Sequence, residues 1–237
     1  MALDNGIELT WLGHSTFKVR TPEGKILILD PWVMNNPACP EALRRVDRLD
    51  AMLISHGHYD HIGDAVELGR AHQPETLAIF ETAHWLEQKG LTNTRPMNKG
   101  GTQEIAGVRV TMVHADHSCG ILDGDQIVYG GEACGLVLEF SNGFKIYHAG
   151  DTNIFGDMRL IGQLYSPDLA LLPVGGLYTM SPREAALAIE FLGVKQVVPM
   201  HHGTFPGLPG QPAELRAKLA HVAGYTQHDL KPGETLK

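Results

Sequence analysis

The chain has 237 residues, of which 43% are apolar and 19% charged, so it is long enough for one sizeable domain and too apolar to stay disordered. Nineteen basic against 27 acidic residues give a net charge of −8, which disfavours general binding to nucleic-acid phosphates. Thirteen histidines against three cysteines are an unusual excess, and they direct attention to metal-ligand spacing.

The compartment is suggested by the first residues and by the cysteines. Residues 1–10 lack the basic and apolar regions of a secretory signal, and no stretch approaches the ~20 apolar residues of a membrane helix. Cys39, Cys119 and Cys134 are odd in number and irregularly spaced, so we expect buried thiols and no disulfide framework. These observations predict a cytoplasmic protein that does not contact a membrane.

The first half of the chain alternates predicted strands and helices. Its short apolar runs are bounded by turn residues, and the turn at 22–24 joins two of them into a hairpin. Helical spacing with few β-branched residues predicts helices over 61–70 and 82–89, the second stopped by Gly90. The predicted strands are 7–12, 17–20, 26–29, 51–54 and 77–80.

The second half repeats this pattern. The Asn142-Gly143 dipeptide predicts a type I′ hairpin turn, and a capping box at Ser181 begins a helix that runs to about residue 191. The glycine-rich segment 120–134 is expected to be an active-site loop. The other predicted elements are strands 108–113, 136–140, 144–147, 169–172 and 196–198 and a helix over 213–222.

The order of these elements predicts the fold class. Strands precede helices in each half, which is typical of an α+β fold with two packed β-sheets and outer helices. We find no low-complexity tract and no linker, so a single domain over 1–237 is expected.

Segment 55–61, Ser-His-Gly-His-Tyr-Asp-His, carries the strongest chemical pattern. It places three imidazoles and a carboxylate within six positions, directly after the predicted strand 51–54. In a turning backbone His56 and His58 can point the same way, while Asp60 and His61 begin the next helix. Imidazole and carboxylate ligands suit divalent transition metals. The full string therefore predicts a metal site, whereas a lone histidine pair would indicate only a polar loop.

Four further polar residues follow predicted strands: Asp30, His117, Asp151 and His201. Each of them alone is typical of a turn residue or a helix cap. Their shared position, taken together with the histidine string, predicts that they converge with it on one rim of the two sheets.

These residues together resemble a known family. The string His56-x-His58-x-Asp60-His61, followed by His117, Asp151 and His201, resembles the metallo-β-lactamase superfamily of hydrolases. Five further strings within 7–206 are similar to small bacterial metal-dependent hydrolases related to L-ascorbate-6-phosphate lactonase. They are Leu12-Gly13-His14-Ser15-Thr16, Ala115-Asp116-His117-Ser118, Gly130-Gly131-Glu132, His148-Ala149-Gly150-Asp151-Thr152 and Pro199-Met200-His201-His202-Gly203-Thr204-Phe205-Pro206. The resemblance implies a four-layer αββα sandwich with a binuclear metal site between its two mixed sheets.

The resemblance also implies a role for each matching residue. It assigns His56, His58 and His117 to one metal, Asp60, His61 and His201 to the other, and Asp151 to both.

Two of these assignments involve a choice between neighbouring histidines. His117 is preferred to His114 because it matches the family's A-x-H-S string. His201 is preferred to His202 because the family usually has an aromatic residue at the latter place.

Two further residues are implied around the metals. Asp30 would accept hydrogen bonds from ligand histidines and fix their tautomers. His14 lies in a glycine-flanked turn and could line the pocket, bind an anionic group of the substrate, or only pack.

A binuclear site of this kind predicts a hydrolase. Two divalent cations, Zn or Mn with Fe and Ni as alternatives, can share a bridging hydroxide, which the catalytic residue Asp60 would orient and whose proton it would take. The surplus positive charge favours a small anionic substrate with an ester, lactone or phosphoester bond.

Three alternative functions remain open from the sequence. The first is a phosphodiesterase or nuclease on the same fold, although the net charge of −8 argues against a nucleic-acid partner. The second is a non-catalytic metal-binding regulator, and the third is a redox diiron protein, for whose flavin domain the chain has no room. We expect a small-molecule substrate as the partner, and the sequence leaves a homo-oligomer open.

Overall fold

The structure is a computed structural model that describes residues 3 and 5–237. Within these residues, the first half of the chain forms the strands β1 (Glu8–Gly13), β2 (Thr16–Arg20), β3 (Ile26–Leu29), β4 (Ala51–Leu53), β5 (Glu75–Ile79) and β6 (Thr94–Met97). Its helices are α1 (Tyr59–Ile62), α2 (Ala65–His72) and α3 (Phe80–Gln88).

The second half adds further strands and helices. The strands are β7 (Thr102–Ile105), β8 (Val108–His114), β9 (Gly120–Asp123), β10 (Gln126–Tyr129), β11 (Cys134–Glu139), β12 (Lys145–His148), β13 (Leu169–Pro173), β14 (Gln196–Met200), β15 (Thr226–Gln227) and β16 (Thr235–Leu236). The helices are α4 (Met158–Tyr165), α5 (Pro182–Leu192) and α6 (Pro212–Leu219).

Two mixed seven-stranded sheets form the framework, and the two halves of the chain build them in the same way. In the first sheet, ordered β16-β1-β2-β3-β4-β5-β6, strands from β16 to β3 pair antiparallel and those from β3 to β6 pair parallel. In the second, ordered β15-β14-β13-β12-β11-β8-β7, strands from β7 to β12 pair antiparallel and those from β12 to β15 pair parallel. Strands β9 and β10 form a separate hairpin.

Alternating side chains of each central strand face two different layers. In β3, Leu27 and Leu29 join the core between the sheets, whereas Ile28 joins the outer cluster with residues of α2 and α3. In β13, Leu171 faces the inner core and Ala170 faces the cluster beneath α5. Both faces of these strands are buried, which explains their continuous apolar runs. The order of layers is therefore helix, sheet, sheet, helix, as predicted.

The predicted helix over 61–70 is wrong as a single element, because it is divided at Gly63 and Asp64 into α1 and α2. The Asp64 carboxylate is buried and accepts hydrogen bonds from the backbone N–H groups of Val33 and Met34 at 2.5 and 2.7 Å. An aspartate that bonds to a neighbouring backbone competes with helix continuation. The sequence pattern could not show this contact because residues 33 and 64 are distant in the chain.

The turn between β11 and β12 also differs from the prediction. The two strands do form the expected hairpin, but a type I′ turn requires positive φ at both central residues. Among the described residues of this turn, positive φ occurs at Gly143 (82°) and not at Asn142. Gly143 N–H donates to the Phe140 carbonyl at 2.8 Å. The connection is therefore longer than a two-residue turn, and Gly143 is its left-handed residue.

Segment 120–134 contains regular structure where a loop was expected. Strands β9 and β10 form a four-pair antiparallel ladder within it. The segment does lie beside the histidine string, because a cleft is lined by His58 together with Gly120 and Leu122. The sequence analysis also missed β6, β7, α4 and the two short terminal strands.

Other local predictions are confirmed. Ser181 and Glu184 form the capping box at the start of α5, with Ser181 Oγ accepting from Arg183 N–H at 3.2 Å and Glu184 Oε2 accepting from Ser181 N–H at 2.9 Å. Cys39, Cys119 and Cys134 are buried free thiols. No helix formed by the described residues is long and apolar enough to cross a bilayer.

Candidate metal centre

The turn between β4 and α1 presents the histidine string at the rim of the first sheet. His56 lies in the turn after β4, His58 is the residue before α1, and Asp60 and His61 lie within α1. Gly57 allows a close approach here, because a Cβ at this position would lie 2.5 Å from Ile121 Cγ1. His56 and His61 are buried, and Asp60 keeps 25% of its side chain exposed.

The seven residues assigned to metals by resemblance come together at this rim. Their donor atoms form three overlapping groups, and within each group all the atoms lie within 4.8 Å of one another. The groups are His56 with His58 and His117, Asp60 with His61, His201 and His14, and His56 with His61 and Asp151.

Asp151 lies between the other two groups. Its Oδ1 is 3.2 Å from His61 Nε2, and its Oδ2 is 3.0 Å from His201 Nε2. The same Oδ2 lies 3.7 Å from His117 Nε2 and 3.9 Å from His56 Nε2. One carboxylate therefore faces histidines from both sheets.

The two neighbouring histidines lie outside these groups. His114 is exposed, and its ring packs edge-on against Phe155 at a centroid distance of 4.8 Å. The ring of His202 lies 5.1 Å from that of Trp11. The structure thus brings His117 and His201 into the centre, and it turns His114 and His202 toward aromatic neighbours.

Asp30 lies buried behind the histidines. Its carboxylate accepts hydrogen bonds at 2.8 Å from the Ser55 backbone N–H, Ser55 Oγ, His61 Nδ1 and His148 Nε2. Because an ionised carboxylate can only accept, His61 donates from Nδ1 and turns Nε2 toward the centre. Ser55 Oγ donates to Asp30 and can accept from His56 Nδ1 at 3.0 Å, so Nε2 of His56 is left bare.

The charge state of Asp30 agrees with this arrangement. Burial raises its pKa, but the charges and hydrogen bonds of His61 and His148 together hold the pKa well below its usual value. Asp30 is therefore an anion that can fix the tautomers of histidines around it.

The protonation of the histidines leaves lone pairs for a cation. Burial is the main cause that lowers the pKa of His56, His58 and His117, so these imidazoles are neutral donors. Burial also lowers the pKa of His61, but Asp151 and Asp30 raise it well above the ordinary value. The two carboxylates thus favour a positive charge at the point where the donor groups meet.

Two buried atoms at this point, His61 Nε2 and Asp151 Oδ1, lie 3.2 Å apart, and neither makes a hydrogen bond of acceptable geometry. Leaving such atoms unpaired is costly unless another group binds them. Imidazole nitrogens and carboxylate oxygens suit divalent zinc, manganese, iron or nickel. The donor set therefore fits divalent metal ions.

His14 is buried behind Asp60 and does not have the exposure of a residue that contacts substrate. Its ring is fully buried, with Nε2 at 2.8 Å from Asp60 Oδ2 and Nδ1 at 3.0 Å from Thr204 Oγ1. Burial lowers the pKa of His14 to about 4, although the hydrogen bond to Asp60 raises it. Neutral His14 thus donates from Nε2 to Asp60 and accepts at Nδ1 from Thr204, which favours a role in holding Asp60.

Sequence reasoning missed four residues that surround the centre. Ser55 and His148 contact Asp30, Ser118 Oγ lies 3.2 Å from His58 Nε2, and Thr204 contacts His14. Each of them lies within three residues of a proposed ligand, and Ser118, His148 and Thr204 also lie within the strings that carry the family resemblance.

Backbone strain marks the same region. Asp30, His201 and His14 all have positive φ, at 48°, 55° and 56°. Such conformations cost about 1 to 3 kcal/mol for residues other than glycine and persist where the surroundings impose them. Each of the three follows a strand, so the chain reverses direction where it delivers its side chain.

Comparisons with known proteins define the class of this molecule. Residues 25–202 match the model of the β-lactamase superfamily domain. A UPF0173 metal-dependent hydrolase of Koribacter versatilis is 56% identical over 230 residues, which cover 97% of each chain. A UPF0173 metal-dependent hydrolase of Rubrobacter xylanophilus is 48% identical, covering 98% of this chain and 96% of its relative. The structure of Igni18, a metallo hydrolase from Ignicoccus hospitalis, superposes with a TM-score of 0.85 at 35% identity, covering 97% of both chains.

The chain therefore belongs to the metallo-β-lactamase superfamily and, within it, to the UPF0173 metal-dependent hydrolases. This confirms the predicted αββα sandwich and the predicted class, a metal-dependent hydrolase of the metallo-β-lactamase superfamily.

Proposed function

We propose that the protein binds two divalent cations, zinc or manganese, and hydrolyses an ester, lactone or phosphoester bond of a small, anionic substrate. The observation that supports two ions is the position of Asp151, whose carboxylate lies within 4 Å of four histidine nitrogens from both sheets. The ligand sets are those of the resemblance: His56, His58 and His117 for one ion, Asp60, His61 and His201 for the other, and Asp151 for both.

Bound cations would supply Lewis acidity that activates water and stabilises negative charge on the scissile oxygen. The protein fixes the geometry for this chemistry. Asp30 holds His61 directly and His56 through Ser55, and Ser118 can accept from His58 Nε2–H, which leaves His58 Nδ1 facing His56 at 3.0 Å. Such outer hydrogen bonds orient the rings before any ion binds.

Asp60 is the residue that we assign to proton transfer. Burial raises its pKa, but the hydrogen bond from His14 helps to hold the pKa well below its usual value, so the carboxylate is ionised at neutral pH. It is also one quarter exposed, so water and substrate can reach it. In the hydrolysis, the water oxygen bonds to the acyl carbon or phosphorus while the bond to the leaving oxygen breaks. Asp60 takes the water proton and returns it to that oxygen.

The net charge of the chain favours a small molecule over a nucleic acid as the substrate. The net charge of −8 disfavours RNA or DNA as a substrate, so a nucleic-acid partner is not part of the proposal. Three free, buried cysteines fit a reducing compartment, and we therefore propose a cytoplasmic location.

A substrate panel with a matched pair of variants tests the proposed function. Purified protein is loaded with Zn²⁺ or Mn²⁺ and assayed on p-nitrophenyl esters, γ- and δ-lactones and bis(p-nitrophenyl) phosphate. We expect turnover of at least one class, its loss in His117→Ala and its retention in His114→Ala, because only His117 lies among the donors. Turnover that is equal in both variants, or silence on all three classes with either metal, would contradict the proposal.

A further inference from the structure

The β9–β10 hairpin carries an apolar face that the core does not use. Leu122 and Ile127 are directly opposite each other in the ladder, and Tyr129 lies on the same face two residues further along β10. Their exposed fractions are 58%, 80% and 73%. Contiguous exposed apolar side chains on a soluble protein are typical of a binding site.

The hairpin is fixed to the body of the protein. On its inner face Ile121 is fully buried in the outer core cluster and Val128 packs against it. At its turn, the Asp123 carboxylate accepts from Trp85 Nε1 at 2.9 Å and pairs with Lys89 Nζ at 2.7 Å. The apolar face therefore keeps its position beside α1.

Leu122 and Ile127 of this apolar face line a cleft that reaches His58, one of the proposed ligands. The cleft has a volume of about 390 Å³, which lies within the ~300–1,000 Å³ usual for small-molecule sites. One wall is the hairpin and the other is the start of α1. Its lining residues are His58, Tyr59, Ser118, Gly120, Leu122 and Ile127.

The hairpin is also in direct contact with the turn that holds the proposed ligands. A Cβ at Gly57 would lie only 2.5 Å from Ile121 Cγ1, and Gly57 N–H donates to Cys119 Sγ at 3.2 Å, just before β9. A group that occupies the cleft would therefore lie against His58 and the next residues of the ligand turn. This continuity with the ligand turn favours part of the substrate as the occupant.

The chemistry of the lining indicates which part of the substrate it binds. Among the described residues of this lining, none is lysine, arginine, aspartate or glutamate. A charged group would lose part of its hydration there without gaining an acidic or basic side chain of opposite charge. Alkyl or aryl groups would instead lose contact with water, which is favourable.

We propose that this cleft binds the acyl chain of the substrate, so that the substrate class is carboxylic esters or lactones with an aliphatic acyl group. This inference rests on the proposed hydrolase function and extends it. The scissile group faces the donors at His58, and the acyl chain runs along Leu122 and Ile127.

A series of esters tests the cleft. A fully buried methylene is worth about a fourfold change in affinity, and less in a cleft open on one side. For Mn²⁺-loaded protein we expect kcat/KM to rise about tenfold from p-nitrophenyl acetate to hexanoate. The double variant Leu122→Asn, Ile127→Asn should bring the ratio of kcat/KM for hexanoate to kcat/KM for acetate close to one. Leu164→Asn is the matched control, because Leu164 is 71% exposed on α4 and should keep the wild-type ratio.

A second measurement does not depend on turnover. Hexanoate is titrated into metal-free protein while the methyl resonances of Leu122, Ile127 and Leu164 are followed by NMR, with acetate as the comparison. We expect hexanoate to shift the first two sets and to leave Leu164 unchanged, and acetate to shift none.

The outcomes separate the two proposals. Methyl shifts with hexanoate, combined with no hydrolysis of any ester, lactone or phosphoester, would overturn the proposed function and leave the acyl-binding cleft supported. A hexanoate-to-acetate ratio of kcat/KM near one in the wild type would overturn the proposal that the cleft binds the acyl chain. A wild-type ratio in the double variant would overturn it as well. If the double variant has half the particle mass of the wild type in solution and keeps the wild-type ratio of kcat/KM, the apolar face forms contacts between copies of the chain. This result would also overturn the acyl-chain proposal.

Discussion

The first sheet brings its donors to the metal centre from a single turn, whereas the second brings them from three separate strand ends. His56, His58, Asp60 and His61 all lie between β4 and the end of α1. His117, Asp151 and His201 instead follow β8, β12 and β14. The two sheets share the same plan of antiparallel strands followed by parallel ones, so the difference lies in the loops and not in the framework.

This difference shows which features hold the centre together. The donors of the first sheet are close in sequence, and one buried anion, Asp30, fixes two of them. Those of the second sheet depend on the packing of the two sheets, through which Asp151 faces histidines from both. The centre is therefore complete only when both sheets are folded against each other.

The largest effect is expected from His58→Ala, which breaks the donor set of the first sheet. Loss of one ligand should remove most of the bound metal and lower turnover by more than about 100-fold, because losing even an outer hydrogen-bond partner costs about 10- to 100-fold. Metal content by mass spectrometry and kcat/KM measure this effect. A metal-free His58→Ala protein with full activity would contradict the account.

A smaller effect is expected from Asp30→Asn, which removes the anion behind the first-sheet donors. The amide cannot accept all four hydrogen bonds, so His61 and His56 lose their fixed tautomers, and metal affinity should fall about 10- to 100-fold. Competition with a chelator of known affinity measures the change. Asp50→Asn is the control, since Asp50 is a carboxylate that bonds to the Ile26 backbone away from the centre. Equal affinities for the two variants would refute the role of Asp30.

His14→Asn tests whether His14 positions Asp60 or binds metal itself. We expect kcat to fall about tenfold with both proposed ions retained, because the hydrogen bond to Asp60 is lost while the seven proposed ligands remain. The pH profile of kcat should move upward at its acidic limb, because Asp60 then loses a contact that lowers its pKa. Loss of one ion per chain in this variant would instead make His14 a ligand.

The smallest effect concerns stability and the neighbour of His201. Burial lowers the pKa of His202 to about 4, below the 6.5 of the unfolded chain. Between these values the unfolded state binds a proton that the folded state does not, so stability falls as pH decreases from 6.5 toward 4. In metal-free protein His202→Phe should remove about 2 kcal/mol of this loss, at about 1.4 kcal/mol per pH unit. Urea unfolding of wild type and His202→Phe at pH 7 and pH 4.5 measures this loss. If the free energy of unfolding falls equally in both proteins between the two pH values, the burial of a neutral His202 is contradicted.

The contrast between the donors of the first and second sheets also determines how much of the candidate site could be predicted from the sequence. The string His56 to His61 could be interpreted locally, because its spacing alone places donors on one turn. The donors of the second sheet could be predicted only through their position after strands and the resemblance to a family. Continuous apolar runs predicted the central strands, because both faces of those strands are buried.

The contacts that were missed depend on residues distant in the chain. The division between α1 and α2 follows from Asp64 bonding to Val33, and the network of Asp30 reaches His148 across the two sheets. The β9–β10 hairpin was hidden by its glycines, although its two strands pair in regular register. Local patterns carry no information on such pairings.

The measurement that tests the central claim most directly is a crystal structure of the metal-loaded protein with anomalous scattering recorded at the zinc and manganese edges. The account predicts two ions, one bound by His56, His58 and His117, the other by Asp60, His61 and His201, with Asp151 contacting both. A single ion, or an ion bound through His114 or His202, would contradict it.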